Sequence, residues 1–377
     1  NYKKEIYKYG DISYKKCFHW QKIELNDKII DQLEEKGFTR QYINYISTNK
    51  ILWLIKKNGN FHKTNYTELK KQDKESLDKQ IEKIIEYKYN FIHYNGGNSV
   101  YKRIYDLLSN DVKKQLKTEL NLDDDINIKK ILNHILVKRL ELNPFNNKVI
   151  VVDEVHNLIL MIVNGSAIGG IIYNLLMNSE NCRLVFLSGT PVINTPFELA
   201  IMFNLLRGYT KTYRYKLKSI KNDSDLRKLL MNEKMIDRII IESNIFDITR
   251  LPYNFLYNED RSSVYREKDE EKNNIENNTS NDKELDKYIS KVLNNNGYIK
   301  KDELEITNNS IFPDIIVDKQ IDKKNIFNAI EKFKKLYIDD KKNLKNNDFF
   351  EKRILGLVSF YNEITDEDPE IRKELFP

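Results

Sequence analysis

Two short apolar runs, each ending on a polar cluster, most constrain what this chain can fold into. The first lies in "KVIVVDEVHNLI", where four consecutive β-branched residues, Val149 to Val152, run directly into Asp153 and Glu154. The second lies in "CRLVFLSGTP", where Leu184 to Leu187 lead into Ser188, Gly189 and Thr190. Between them "GSAIGGIIYNLLMN" reads as a helix. Runs this short and apolar fit strands of a parallel sheet, buried on both faces. The order strand, helix, strand at this spacing predicts a βαβ unit, so the expected fold class is α/β. Adjacent parallel strands would bring both polar clusters to one carboxyl edge, where open α/β sheets bind ligands.

Upstream, residues 1–90 are mostly charged and helical in pattern. "DKIIDQLEEKGF" and "LDKQIEKIIEYKY" space their apolar residues three and four apart. "YNFIHYNGG" at 89–97 reads as a strand ending in a Gly-rich turn, and "IKKILNHILVKRLEL" as an amphipathic helix closed by Asn143-Pro144. After Pro191, Thr195 as N-cap, Pro196 in the first turn and Glu198 as capping-box partner predict a helix that Gly208 ends. "DRIIIESNIFDITRLPYNFLY" suggests a pair of strands. Residues 258–310 are rich in Asn, Asp, Glu and Lys and read as a mobile linker or insertion despite one amphipathic piece, "ELDKYISKVLNNNG".

With 377 residues and 40% hydrophobic content, the chain can hold one large or two ordinary domains. Its formal net charge of +6 permits a polyanionic partner without requiring one. Cys17 and Cys182 provide neither a disulfide framework nor a thiolate metal site, which fits a reducing, intracellular compartment. No apolar run approaches the roughly 18 residues of a membrane span, so no membrane partner is expected. The start, "NYKKEIYKYG", holds neither an apolar signal region nor an initiator Met, and the expectation is a chain cut at its front. Basic and aromatic residues interleave in "YTKTYRYKLKSIK" from Tyr209 to Lys221; a solvated charge run is the preferred reading, with phosphate contact as the second.

An Asp at the end of a strand, followed by Glu, has the chemistry a nucleotide hydrolase needs. The first acid, Asp153, can hold a phosphate-bound Mg²⁺, and the second, Glu154, can orient and polarise the attacking water. The competing reading is two solvated acids at a helix start, favoured by its dipole. "SGTP" alone is better read as a plain strand-ending turn, but both motifs in order, one βαβ unit apart, favour the nucleotide edge. His93 and His134 have no ligand-like spacing and are read as solvated or core residues.

These residues also carry a family resemblance. "VVDEVHN" resembles the Walker B or DExH box, and "LSGTPVINTPFELA" resembles motif III with its following helix, in superfamily-two helicases and translocases of the Swi/Snf-like branch. "NYKKEIYKYG", "FIHYNGG", "NPFNNKVIVVDEVHN" and "FEKRILGLVSFYNEI" resemble flanking segments of the helicase group of nucleocytoplasmic large DNA viruses. That group is akin to poxvirus early-transcription-factor helicases and the poxvirus nucleoside triphosphate phosphohydrolase. The resemblance implies a RecA-like lobe and an ATP- and Mg²⁺-dependent motor on nucleic acid, with double-stranded DNA as the expected track. It implies that Asp153 is the metal residue, that Glu154 activates water, and that His156 links the nucleotide site to a coupling motif of Ser188, Gly189 and Thr190. It also implies a viral RNA polymerase or transcription-factor subunit as partner, and the virion or the viral factory in host cytoplasm as location.

No G-x-x-x-x-G-K-[ST] loop occurs, and no motif VI with its arginine finger is found. The expectation is therefore a fragment: residues 1–257 a partial first RecA-like lobe with a helical insertion at about 20–88, 258–350 a charged linker or insertion, and 351–377 the beginning of a second lobe. The expected function is ATP hydrolysis coupled to helicase or translocase action in viral transcription or genome handling, and the fragment itself is expected to be inactive. The alternative is a non-hydrolysing nucleic-acid-binding or scaffold subunit that retains the fold.

Overall fold

The computed structural model describes residues 2–56, 64–93, 96–122, 127–218, 230, 236–242, 244–251, 255–258, 263–266, 277–298, 304–316, 321–354 and 356–358. The chain divides into two compact units, Asn1–His93 and Tyr94–Pro377.

The first unit runs α1 (Tyr2–Tyr9), β1 (Trp20–Glu24), α2 (Asp27–Glu35), α3 (Arg40–Ile46), β2 (Ile51–Ile55) and α4 (Lys71–Lys88). β1 and β2 pair antiparallel, Trp20 opposite Ile55 and Glu24 opposite Ile51. Short polar side chains start the helices: Asn26 Oδ1 accepts from Ile29 N at 2.9 Å and Thr39 Oγ1 from Tyr42 N at 3.2 Å. The apolar stripe of α4, Leu77, Ile81, Ile84 and Ile85, closes over Trp20, Leu52 and Trp53. Inside this core Gln80 accepts from Trp53 N and donates to Trp53 O, each at 2.7 Å. A helix side chain thus satisfies the backbone at the free edge of β2. The strand expected in "YNFIHYNGG" is not formed by Tyr89–His93, and residues 94 and 95 lie outside the described residues. Tyr89 N donates to Ile85 O at 2.8 Å, so that backbone ends α4 instead of opening a sheet.

The second unit begins with α5 (Asn98–Asp106), α6 (Asn110–Glu119), α7 (Ile128–Lys138), β3 (Val149–Val152), α8 (Val155–Val163), α9 (Ala167–Met177), β4 (Arg183–Phe186) and α10 (Phe197–Arg207). β3 and β4 pair in parallel from Val149 opposite Arg183 to Val152 opposite Phe186, as the βαβ reading expects. The crossover holds two helices, α8 and α9, bent by 110°. A Cβ at Gly169 would come within 2.9 Å of the backbone of Met161 and Ile162, which is why the second helix can fold so closely back on the first. No single described helix is long and apolar enough to cross a membrane.

Burial of both sheet faces is not found. Val149 is 68%, Val151 51% and Val185 43% exposed, all on one face. The reason is local: among the described residues β3 and β4 pair only with each other, and α10 packs against β4 from the other side.

The rest of the unit is β5 (Thr210–Lys216), β6 (Ile236–Glu242), β7 (Ile245–Arg250), β8 (Phe255–Asn258), β9 (Ser263–Arg266), α11 (Asn277–Asn295), β10 (Leu304–Asn309), α12 (Lys323–Tyr337) and α13 (Asn347–Ile354). A four-stranded antiparallel sheet runs β10-β5-β7-β6. The expected strand pair is β6 and β7. One face of the sheet carries Tyr213, Tyr215, Phe246 and Ile248, and α11 covers it with Leu285, Ile289 and Leu293. The amphipathic piece inside 258–310 is thus packed core, where the sequence reading had placed a linker. Residues 259–262, 267–276 and 299–303 of that stretch, 219–221 of the basic-aromatic run, and 359–377 of the expected second lobe lie outside the described residues. α10 and α12 meet through Phe197 and Phe333, ring centroids 5.7 Å apart.

Candidate functional site

The carboxyl ends of β3 and β4 are joined before any side chain is considered. Leu187 N donates to Val152 O at 2.9 Å, and Val155 N donates to Leu187 O at 3.0 Å. This exchange carries the strand pairing into the first turn of α8. Glu154 sits in that turn with φ 49° and ψ 47°, a left-handed conformation that costs a non-glycine residue about 1–2 kcal/mol. Its neighbours hold it there: Val155 is 1% exposed, and its N–H is the one bonded to Leu187. In this conformation its carboxylate reaches His156 in the first turn of α8.

His156 joins the two clusters. Its Nδ1 lies 2.9 Å from Ser188 Oγ and 3.3 Å from Glu154 Oε2. With the proton on Nδ1, the ring donates towards both oxygens; with it on Nε2, Ser188 donates to the ring. Ser188 Oγ also accepts from Thr190 N at 3.1 Å, which fixes the turn that follows β4. The structure therefore brings together Glu154, His156, Ser188 and the backbone of Thr190. Asp153 is exposed beside them at the end of β3. Gly189 has nothing within 4 Å of where a Cβ would stand, so its open side faces away from the fold.

One residue of this edge was read from the sequence only as a helix cap. Glu198 is 1% exposed. Its Oε2 accepts from Ile193 N at 2.8 Å, and its Oε1 accepts from Asn194 N at 3.0 Å and Thr195 N at 2.8 Å. The Glu198 to Thr195 half of the expected capping box is present. The N-cap is Pro196, one residue later than expected, and no side chain caps the helix there. Because the carboxylate holds three successive N–H groups, it clamps the loop leaving "SGTP". The Glu three residues after Thr195 was the only sequence signal of it.

Among the described residues no group of three or more His, Cys, Asp or Glu could hold a metal ion by itself. A Mg²⁺ bound to a nucleotide takes one or two carboxylates and completes its shell with phosphate oxygens and water, so it does not call for such a group. Asp153, exposed at a strand end, fits one such ligand. His134 Nε2 lies 3.3 Å from Glu119 Oε2, a pairing unrelated to this edge.

No family profile matches the chain, and no solved structure matches it. Over 66 residues, 15% of this chain and 8% of the relative, it is 46% identical to a "putative ATP-dependent RNA helicase" of Acanthamoeba polyphaga mimivirus. Over 66 residues, 17% of this chain and 9% of the relative, it is 39% identical to a "Termination factor NPH-I homolog" of African swine fever virus. The chain thus spans under a tenth of the length of these relatives. It is a mixed α/β protein with a segment similar to viral helicase-like proteins.

Proposed function

We propose that the chain is part of an ATP-dependent nucleic-acid motor of the DExH, Swi/Snf-like kind, and that the β3–β4 edge, in a RecA-like lobe, forms the metal and water side of its nucleotide site. The observation that carries this reading is the contact of His156 Nδ1 with both Glu154 and Ser188, because it ties the acid pair to the hydroxyl turn. In this reading Asp153 helps hold Mg²⁺, which when bound to ATP neutralises phosphate charge. Glu154 orients the attacking water and accepts its proton, and the left-handed backbone sets the direction of its carboxylate. His156 passes the state of that carboxylate to Ser188, and through the Ser188–Thr190 turn to the segment that Glu198 clamps. No G-x-x-x-x-G-K-[ST] occurs in the 377 residues, so the phosphate cradle is assigned to none of them. The names of the viral relatives support a helicase or nucleotide hydrolase. A double-stranded DNA track, a role in viral transcription or genome handling beside an RNA polymerase or transcription-factor subunit, and a place in the virion or viral factory belong to the same proposal.

The test is Glu154→Gln in a longer protein that carries a phosphate-binding loop. We expect ATP turnover to fall by at least about 10²-fold, a general-base effect, while nucleotide binding is retained. Normal turnover would overturn the role of Glu154.

A further inference from the structure

Residues 1–93 hold 19 Lys and Arg against 13 Asp and Glu, and residues 94–377 hold 44 against 44. The whole excess of +6 therefore belongs to the first unit. That unit also displays an unusual surface. Phe38 lies just before α3, Tyr42 and Tyr45 follow it at four- and three-residue intervals on that helix, and Tyr87 from the last turn of α4 docks onto Tyr42 and Tyr45. The Phe38 and Tyr42 rings lie 6.2 Å apart and within 9° of parallel; Tyr87 meets Tyr42 at 4.8 Å and Tyr45 at 5.6 Å. The four rings are contiguous across two helices, and three of them stay largely in solvent: Phe38 is 44%, Tyr45 42% and Tyr87 50% exposed.

Core packing does not account for that exposure, since Leu33, Ile43, Ile46 and the α4 stripe already fill the interior. Cations border the rings. Lys88 Nζ lies over the Tyr14 ring, 5.2 Å from its centroid, and is the strongest charge acting on the nearby Tyr42 hydroxyl, opposing the upward push of burial, while Asp11 acts the other way more weakly. Lys83 Nζ reaches Ser47 O at 2.7 Å, just past the end of α3, and Lys36 is exposed two residues before Phe38. Arg40 is engaged elsewhere, with Asp31 and Glu34.

We propose that the Phe38–Tyr42–Tyr87–Tyr45 stripe is a stacking platform for single-stranded nucleic acid, with Lys36, Lys83 and Lys88 taking its phosphates. Exposed rings stack only on bases whose faces are free, which excludes an intact duplex, and lysines beside them supply a sequence-independent attraction to the backbone. An excess of positive charge confined to this unit favours a polyanion over an ordinary protein partner. The proposal rests on the nucleic-acid reading of the previous subsection for the ligand class only, and assigns this unit a single strand in place of the double-stranded track proposed for the motor.

The experiment is fluorescence anisotropy of the 377-residue chain with labelled oligo(dT) and oligo(U) 20-mers at several salt concentrations. Tyr45→Ala with Tyr87→Ala should weaken binding at least about fivefold per ring, whereas Tyr45→Phe with Tyr87→Phe should bind like the parent and show that the fold is intact. Retained affinity in the Ala pair would overturn the platform while leaving the motor proposal standing. No binding by the parent chain would also overturn it, and would leave a protein partner for the stripe; the turnover test of Glu154 would then decide the motor reading by itself.

Discussion

At the scale of single residues, the candidate edge is built from groups held in positions that their own preferences oppose. Glu154 is left-handed although it is not glycine, and what holds it is the burial of Val155 and the bond from Val155 N to Leu187 O. Ser188 serves His156 and Thr190 N at once. On the proposed reading, removing the hydroxyls is expected to disturb communication more than it disturbs the acids. In the longer protein, Ser188→Ala with Thr190→Ala is expected to leave basal ATP turnover within about threefold while nucleic-acid stimulation or translocation falls about tenfold or more, a loss of roughly 1.4 kcal/mol in coupling. Parallel ATPase and translocation assays check this; equal loss of both would place the hydroxyls in the nucleotide site itself.

At the scale of elements, the β4–α10 connection depends on one buried carboxylate. Glu198 satisfies three backbone N–H groups that have no other described partner, so shortening it releases the amides of an exposed loop from the buried carboxylate that holds them. Glu198→Ala should cost about 1.5–3 kcal/mol, the range for hydrogen bonds to a charged group, and Glu198→Gln distinctly less because its carbonyl still accepts. Denaturant unfolding of the three proteins measures it, and an Ala variant as stable as the parent would refute the clamp. This element was half legible. Thr195-Pro196-Phe197-Glu198 announced a helix start, because capping chemistry is local. The reach of Glu198 to Ile193 and Asn194 was not, because it depends on how the loop folds back.

At the scale of the whole second unit, distant segments are pinned by buried polar contacts. Tyr173 in α9 donates from its hydroxyl to Asp314 Oδ1 at 2.9 Å, a link across 141 positions, and Ile316 N donates to the same oxygen at 3.1 Å. Asn204 in α10 accepts from Phe312 N at 2.8 Å. Burial raises the carboxyl of Asp314 above its ordinary value, and these hydrogen bonds offset only part of the rise. A raised folded-state pKa means that the native state holds the proton more tightly than the unfolded chain does. The associated stability is present below the ordinary Asp value and is lost as pH rises through the raised one. Asp314→Asn, which keeps an acceptor without the charge, should therefore gain stability over the parent as pH climbs through that window. Thermal melts of both proteins between acid and neutral pH check this; a difference that shrinks with rising pH would show the carboxylate to be fully compensated.

The sequence by itself determined the parts whose physics is short-ranged. Four β-branched residues followed by acids made β3 and its end; helical spacing made α2, α4 and α7; Gly208, at φ +68°, stopped α10. The order of "VVDEVHN" and "LSGTP" was enough to expect one shared edge, because parallel pairing needs only a crossover of the right length. Only the tertiary structure decided that Glu154 turns left-handed, that His156 Nδ1 faces Ser188, and that Glu198 clamps three amides. It alone decided that Val149 and Val151 stay exposed and that the amphipathic piece near 285–295 covers a four-stranded sheet. It also gathered Phe38, Tyr42, Tyr45 and Tyr87 from two helices into one surface. Local propensity and periodicity say which face of an element is apolar, whereas the partner of that face is chosen by packing among residues tens of positions apart, and no single stretch of sequence encodes that choice.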